Sequence, residues 1–254
     1  MLKDRVVFIT GASSGIGLAC AKQFAAVGAK LLLCARRFET LDILAKQLRA
    51  EYGVEVYTFG LDVQLSTQVK EKLTMLPDNW RNIDILINNA GLAAGLDPIQ
   101  EGSLQDWEDM INTNIKGLLY VTKAILPQMI EKNTGHIINI GSIAGHQVYP
   151  KGAVYCATKQ AVNALSNGLR MDLLGTKIRV SSVDPGAVET NFSSVRFKGD
   201  AERAAAVYEG MEPLRPEDVA DAIIYCATRP PHVNISEMII MPTDQASATM
   251  IHRT

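Results

Sequence analysis

Cysteine, aromatic rings and net charge are all scarce in this sequence. Four cysteines in 254 residues fall at positions 20, 34, 156 and 226, with no C-x-x-C pair and no histidine at ligand spacing. Neither a disulfide framework nor a metal site is expected, and a reducing cytoplasm is the expected compartment. The 25 Lys and Arg nearly cancel the 27 Asp and Glu, leaving −2, so a nucleic-acid partner is not expected. No apolar run approaches the ~18 residues of a membrane span. Lys3, Asp4 and Arg5 precede an apolar run shorter than the core of a signal peptide, so no export leader is expected either. What remains, 47% hydrophobic and 20% charged with 19 Gly, is the composition of an ordinary globular chain.

Short β-branched runs alternate with stretches of helical periodicity throughout. Strands are expected at Arg5 to Thr10, Lys30 to Cys34, Val54 to Phe59, Ile83 to Asn88, Gly135 to Gly141, Lys177 to Val183 and Glu237 to Met241. Helices are expected at Ile16 to Val27, Leu41 to Leu48, Ser66 to Met75, Leu104 to Glu131, Tyr155 to Leu174 and Glu217 to Ala227. Helices between strands imply parallel pairing and right-handed crossovers. The expectation is one α/β domain over residues 1–254, a Rossmann-like, doubly wound parallel sheet of about seven strands with helices on both faces. Residues 186–215 carry a weak helix at most, and so long an irregular stretch in a compact domain suggests a substrate lid.

The first strand ends in Thr10-Gly-Ala-Ser-Ser-Gly-Ile-Gly17, which opens the first helix. Here a dinucleotide pyrophosphate would meet backbone amides and a positive helix end, which assigns Gly11, Ser13, Ser14, Gly15, Ile16 and Gly17 to the cofactor. The spacing is GxxxGxG rather than GxGxxG. Asp62-Val63 and Asn89-Ala90-Gly91 follow later strands at carboxyl ends, where the adenosine half would rest. About twenty residues past the glycine turn, NAD enzymes of this layout place an acid on the ribose. This chain has Ala35, then Arg36 and Arg37. Two guanidinium groups suit a 2′-phosphate, so the expected cofactor is NADP.

Tyr155 and Lys159 stand one helical turn apart, on one face. Ser142 follows the fifth strand, and Asn114 lies on the apolar stripe of a long helix. Together with Pro185-Gly186, these residues resemble the full motif set of the short-chain dehydrogenase/reductase family, over nearly the whole chain. The resemblance implies Tyr155 as general acid/base, Ser142 on the substrate oxygen, Lys159 on the nicotinamide ribose and tuning Tyr155, and Asn114 anchoring a relay water. It also puts Pro185, Gly186, Val188 and Thr190 beside the nicotinamide. A homotetramer is implied too, through the long helix with Trp107 and Leu118, the small stripe Ala157, Ala161, Ala164, Gly168, and Glu237 to Met241 with the tail. A phenol near pKa 10 is a poor base at neutral pH; an ammonium ~4 Å away at an effective dielectric of ~20 supplies about the ~4 kcal/mol needed to activate it.

Ile83 to Leu92, Gly135 to Ser142, Phe192 to Asp200 and Pro231 to Ile235 resemble the branch of the family that oxidises 3-hydroxy acids such as serine and L-allo-threonine with NADP. That resemblance implies a substrate carboxylate, for which Arg196 and Lys198 are lid cations of the right sign. Tyr149 is a candidate wall of the substrate pocket, as is His146. Two other readings compete: an NADPH-dependent reductase of a 3-oxoacyl thioester or small ketone, and a catalytically silent NADP-binding regulator.

Overall fold

A computed structural model describes residues 2–254. In chain order the elements are β1 (Val6–Thr10), α1 (Gly15–Ala26), β2 (Lys30–Ala35), α2 (Phe38–Tyr52), β3 (Val56–Gly60), α3 (Ser66–Thr74) and the single turn α4 (Asp78–Arg81). Then come β4 (Ile85–Asn88), α5 (Leu104–Ile111), α6 (Leu118–Lys132), β5 (Gly135–Ile140), α7 (Ala153–Asp172) and β6 (Ile178–Pro185). The short α8 (Phe192–Arg196) and α9 (Ala201–Ala206), α10 (Pro216–Ala227) and β7 (Glu237–Ile240) close the chain.

All seven strands are parallel, in the order β3-β2-β1-β4-β5-β6-β7. Alternation along each strand splits the core into two layers. Val7, Ile9, Leu31 and Leu33 pack under α1, α2 and α10, whereas Val6, Phe8, Leu32 and Cys34 pack under α3, α6 and the end of α7. Strands buried on both faces read as continuous apolar runs, which explains why they were legible. Chain direction across the sheet reverses between β1 and β4, and such switch points form a crevice at the strands' carboxyl ends. No helix among the described residues is long and apolar enough to cross a membrane.

Two features depart from expectation. The helix expected to run unbroken from Leu104 to Glu131 is interrupted by a π-helical segment, Asn112–Gly117, between α5 and α6. Its cause is local: the Asn114 side chain is drawn to Leu92 of a neighbouring loop, and Gly117 is so close to Val63 that a Cβ there would lie 2.7 Å from Val63 Cγ2. Such segments gather at functional sites. The lid is also more ordered than expected. It carries two short helices, and its ends are pinned by a parallel bridge in which Glu189 N donates to Leu214 O (2.8 Å) and Leu214 N to Ala187 O (2.9 Å).

Candidate active site

At the switch point, β1 turns through Gly11, whose φ of 65° belongs to the left-handed region. Gly17 serves a packing role: a Cβ there would come within 2.5 Å of both Asn89 Nδ2 and Gly11 O. Asn89 Nδ2 donates to Thr10 O (2.8 Å) and Gly11 O (3.2 Å), so this side chain holds the turn itself. Helix α1 starts at the turn without a side-chain cap on Ser14 and without an acid in its first turn. Its first N–H groups are thus left to an anion. Arg37 reaches over the turn, donating through Nη2 to Ser13 Oγ (3.4 Å) and Ser14 Oγ (3.3 Å). Arg36 is exposed beside it, and neither guanidinium forms an ion pair among the described residues. An anion-ready helix end flanked by two unspent cations fits a phosphorylated dinucleotide.

One cavity of about 740 Å³ runs from this turn to Tyr155. Of the residues expected to meet cofactor or substrate, all but Gly17, His146 and Lys198 line it, and of the four expected catalytic residues only Asn114 does not. Asp62 Oδ1 also accepts from Gln64 N (3.0 Å), so Asp62 caps its own turn as well as facing the cavity. Asn114 is buried, its Oδ1 accepting from Leu92 N (2.9 Å) and its Nδ2 donating to Leu92 O (2.8 Å) and Thr158 Oγ1 (3.0 Å). Every polar atom of that side chain is therefore occupied by protein.

The phenol of Tyr155 is nearly buried, edge-on to Phe192 with centroids 5.7 Å apart. Lys159 Nζ lies 6.0 Å from the Tyr155 ring and donates to Ile140 O (2.8 Å). Burial pushes the Tyr155 hydroxyl up; Tyr149 adds to this, while Ser142's hydroxyl and the Arg196 charge pull it down. In the protein by itself, burial outweighs the Ser142 hydrogen bond and the Arg196 charge that lower the phenol. Burial also lowers Lys159, to about 8, against the opposing charge of Asp184.

Arg196, at the end of α8, enters the same cavity. Its Nε donates to Gly95 O (3.1 Å) and its Nη1 to Tyr149 Oη (3.0 Å), and its guanidinium stacks near the rings of Tyr149 (5.5 Å) and Tyr155 (5.7 Å). The buried Nη2 has no partner. Lys198, in contrast, pairs with Asp106 Oδ2 at 3.0 Å and does not line the cavity.

His146 does not line the cavity either. It joins Asp184 and Glu237 in a cluster whose potential donor atoms lie within 4.8 Å of one another. Sequence spacing concealed this grouping, because strand and turn bring together residues 38 or more positions apart. The tail was missed too. Gln245, Ala248, Ile251 and Arg253 line the cavity, with Gln245 Oε1 accepting from Ala187 N (2.8 Å) and Arg253 Nη2 donating to Val207 O (3.1 Å). No motif marks those residues.

A parallel seven-stranded sheet with this crevice and this Ser-Tyr-Lys arrangement defines a class. Residues 5–201 match the family model described as short chain dehydrogenase, and the chain belongs to that family. Among its relatives, the NADP-dependent 3-hydroxy acid dehydrogenase of Salmonella typhi is 48% identical over 98% of this chain and 100% of its own. The Schizosaccharomyces pombe NADP-dependent 3-hydroxy acid dehydrogenase is 44% identical over 99% of this chain and 98% of its own. Among solved structures, the closed form of serine dehydrogenase complexed with NADP+ superposes with a TM-score of 0.91 at 46% identity, covering 98% of this chain and all of that one.

Proposed function

We propose that this protein is an NADP-dependent dehydrogenase of small 3-hydroxy acids, of the serine, L-allo-threonine and 3-hydroxyisobutyrate type, built as one domain over residues 1–254 with a lid at about 186–215. The observation that carries the substrate class is Arg196, which lines the cavity that holds Tyr155 and Ser142 and whose buried Nη2 has no partner. A buried donor without a partner is costly unless a ligand supplies one, and a carboxylate answers a guanidinium with two acceptors.

The relatives' names support NADP, and so does the unpaired Arg36–Arg37 couple. The α1 N-terminus and its glycine turn would hold the pyrophosphate, Arg36 and Arg37 the 2′-phosphate, Lys159 the nicotinamide ribose, and Pro185, Gly186, Val188 and Thr190 the nicotinamide end. Bound NADP+ would supply the hydride acceptor and add a positive charge beside the phenol. Arg196 anchors the substrate carboxylate, Ser142 donates to the C3 oxygen, and Tyr155 takes the hydroxyl proton as general base. With its side chain committed to Leu92 and Thr158, Asn114 serves the proton relay through its main chain.

The assembly proposed is a homotetramer. Ala157 and Ala164 are exposed on α7, and a Cβ at Gly168 would touch nothing within 4 Å, so this small-residue stripe is free to meet another subunit. Leu104 on α5 and Leu119 on α6 are exposed as well. A cytoplasmic location is supported by four buried, unpaired cysteines.

A substrate panel tests the reading. Serine, L-allo-threonine and 3-hydroxyisobutyrate with NADP+ should turn over, whereas an uncharged secondary alcohol or a 3-oxoacyl thioester with NADPH should be at least tenfold poorer in kcat/KM. Arg196→Ala should raise KM for serine by about 10- to 150-fold, the worth of a charge-assisted hydrogen bond, and leave the uncharged alcohol almost unchanged. An equal rise for both would remove Arg196 from substrate binding.

A further inference from the structure

We propose that Asp184, clasped by His146, is a positioning residue of the proton-transfer machinery: the buried counter-charge that keeps Lys159 an ammonium and braces the Gly141–Ser142 backbone. The proposal rests on the Tyr155–Lys159 reading above and adds a third charge to it.

Asp184 lies at the end of β6 with none of its surface exposed. A carboxylate so placed needs partners. Its Oδ1 accepts from Ser182 Oγ (2.5 Å) and its Oδ2 from His146 Nε2 (2.8 Å), which assigns the proton of the imidazole to Nε2. Oδ1 also rests against Gly141, where an added Cβ would lie 1.7 Å from it. Gly141 follows Ile140, whose carbonyl accepts from Lys159, and precedes Ser142. Three consecutive residues at the end of β5 therefore touch the ammonium, the buried carboxylate and the substrate hydroxyl in turn.

Lys159 forms no ion pair among the described residues. Asp184 Oδ1 nonetheless stands against Gly141, next to the Ile140 carbonyl that accepts from Lys159, and its charge opposes the burial that lowers Lys159. The charged and titratable groups facing Asp184 are His146 from the turn after β5, Glu237 from β7 at 3.0 Å from the His146 Nε2, and Lys159 and Arg170 from α7. Burial raises Asp184 above the usual carboxylate range; the hydrogen bonds of Ser182 and His146 oppose this and hold the charge, and Glu237 disfavours it. His146 therefore sets how much negative charge the site feels, although it touches neither cavity nor phenol.

The sign of the effect is fixed. Removing a negative charge favours the deprotonated form of every neighbouring group, so both apparent pKa values of the coupled Tyr155–Lys159 pair should fall. For Asp184→Asn, measured with full-length enzyme, NADP+ and serine, the profile of kcat/KM should slide toward lower pH by about one unit, the size expected of one charge several ångströms away in a protein interior. Asp184→Glu, which keeps the charge, should restore the wild-type position. His146→Ala lies at a half-exposed turn and gives a second route should Asp184→Asn not fold: loss of its hydrogen bond leaves Asp184 more protonated and should slide the profile the same way by a smaller amount. A profile that stays in place in these variants while kcat falls uniformly would overturn the proposal and leave Asp184 a packing residue. An active Tyr155→Phe enzyme would instead overturn the reading beneath it, so the two failures are separable.

Discussion

Tyr155→Phe should lower kcat about 10³-fold or more while NADP+ still binds with nearly its original affinity. On the proposed reading the phenol hydroxyl exchanges a proton with a substrate oxygen held by Ser142, and positioned acid/base groups contribute ~10²–10⁴-fold. The ring itself packs on Phe192 and near Arg196, and phenylalanine keeps that packing, so a loss of rate would reflect the hydroxyl alone. On the proposed reading, binding of NADP+ rests chiefly on the glycine turn and Arg36–Arg37, away from this hydroxyl. Titration of protein fluorescence with NADP+ and steady-state assay of serine oxidation check both halves. Residual turnover within tenfold of wild type would exclude Tyr155 as the acid/base. Burial raises the phenol in the protein alone, and a positively charged cofactor beside it would lower it. Oxidation rates should accordingly climb from neutral toward alkaline pH until the phenol is deprotonated.

The second large effect concerns cofactor choice. Arg36→Asp should invert the preference, cutting kcat/KM for NADP+ by about 10- to 150-fold and improving NAD+, since a carboxylate repels a 2′-phosphate and accepts from a 2′-hydroxyl. Arg36 is the better target because it is exposed and free, whereas Arg37 is partly engaged with Ser13 and Ser14, so its loss would also loosen the turn. The ratio of kcat/KM for the two cofactors, assayed with serine, is the measurement. An unchanged ratio would move the 2′-phosphate elsewhere.

The strands and the cofactor end were legible for one reason. Strands buried on both faces are uninterrupted apolar runs, and the residues that line the crevice follow directly from strand ends, so local patterns name them. Gly11 to Gly17, Arg36, Asn89 and Ser142 all sit within a few residues of a strand's carboxyl end. What escaped has no local signature. A helical stripe looks alike in α and π geometry, so the interruption at Asn112–Gly117 left no trace until Asn114 met Leu92, 22 residues away. His146, Asp184 and Glu237 are brought together by register of β6 beside β7, and the tail reaches the cavity by folding back over the lid. Helix ends slipped by a few residues wherever the terminal turn is exposed, as at Phe38. The burial that raises Tyr155 was not legible either, because sequence gives the spacing of a charge but not the depth at which a group is buried.

The wide turn between α5 and α6 constrains how this chain can change. A turn closed by i→i+5 bonds takes up about one residue more than an α turn, so excising one residue to restore regular winding would leave Leu118–Lys132 in nearly the same phase. Val121, Ile125 and Met129 would stay under the sheet. What holds the extra residue in place is thus the seating of Asn114 against Leu92, which regular winding would undo.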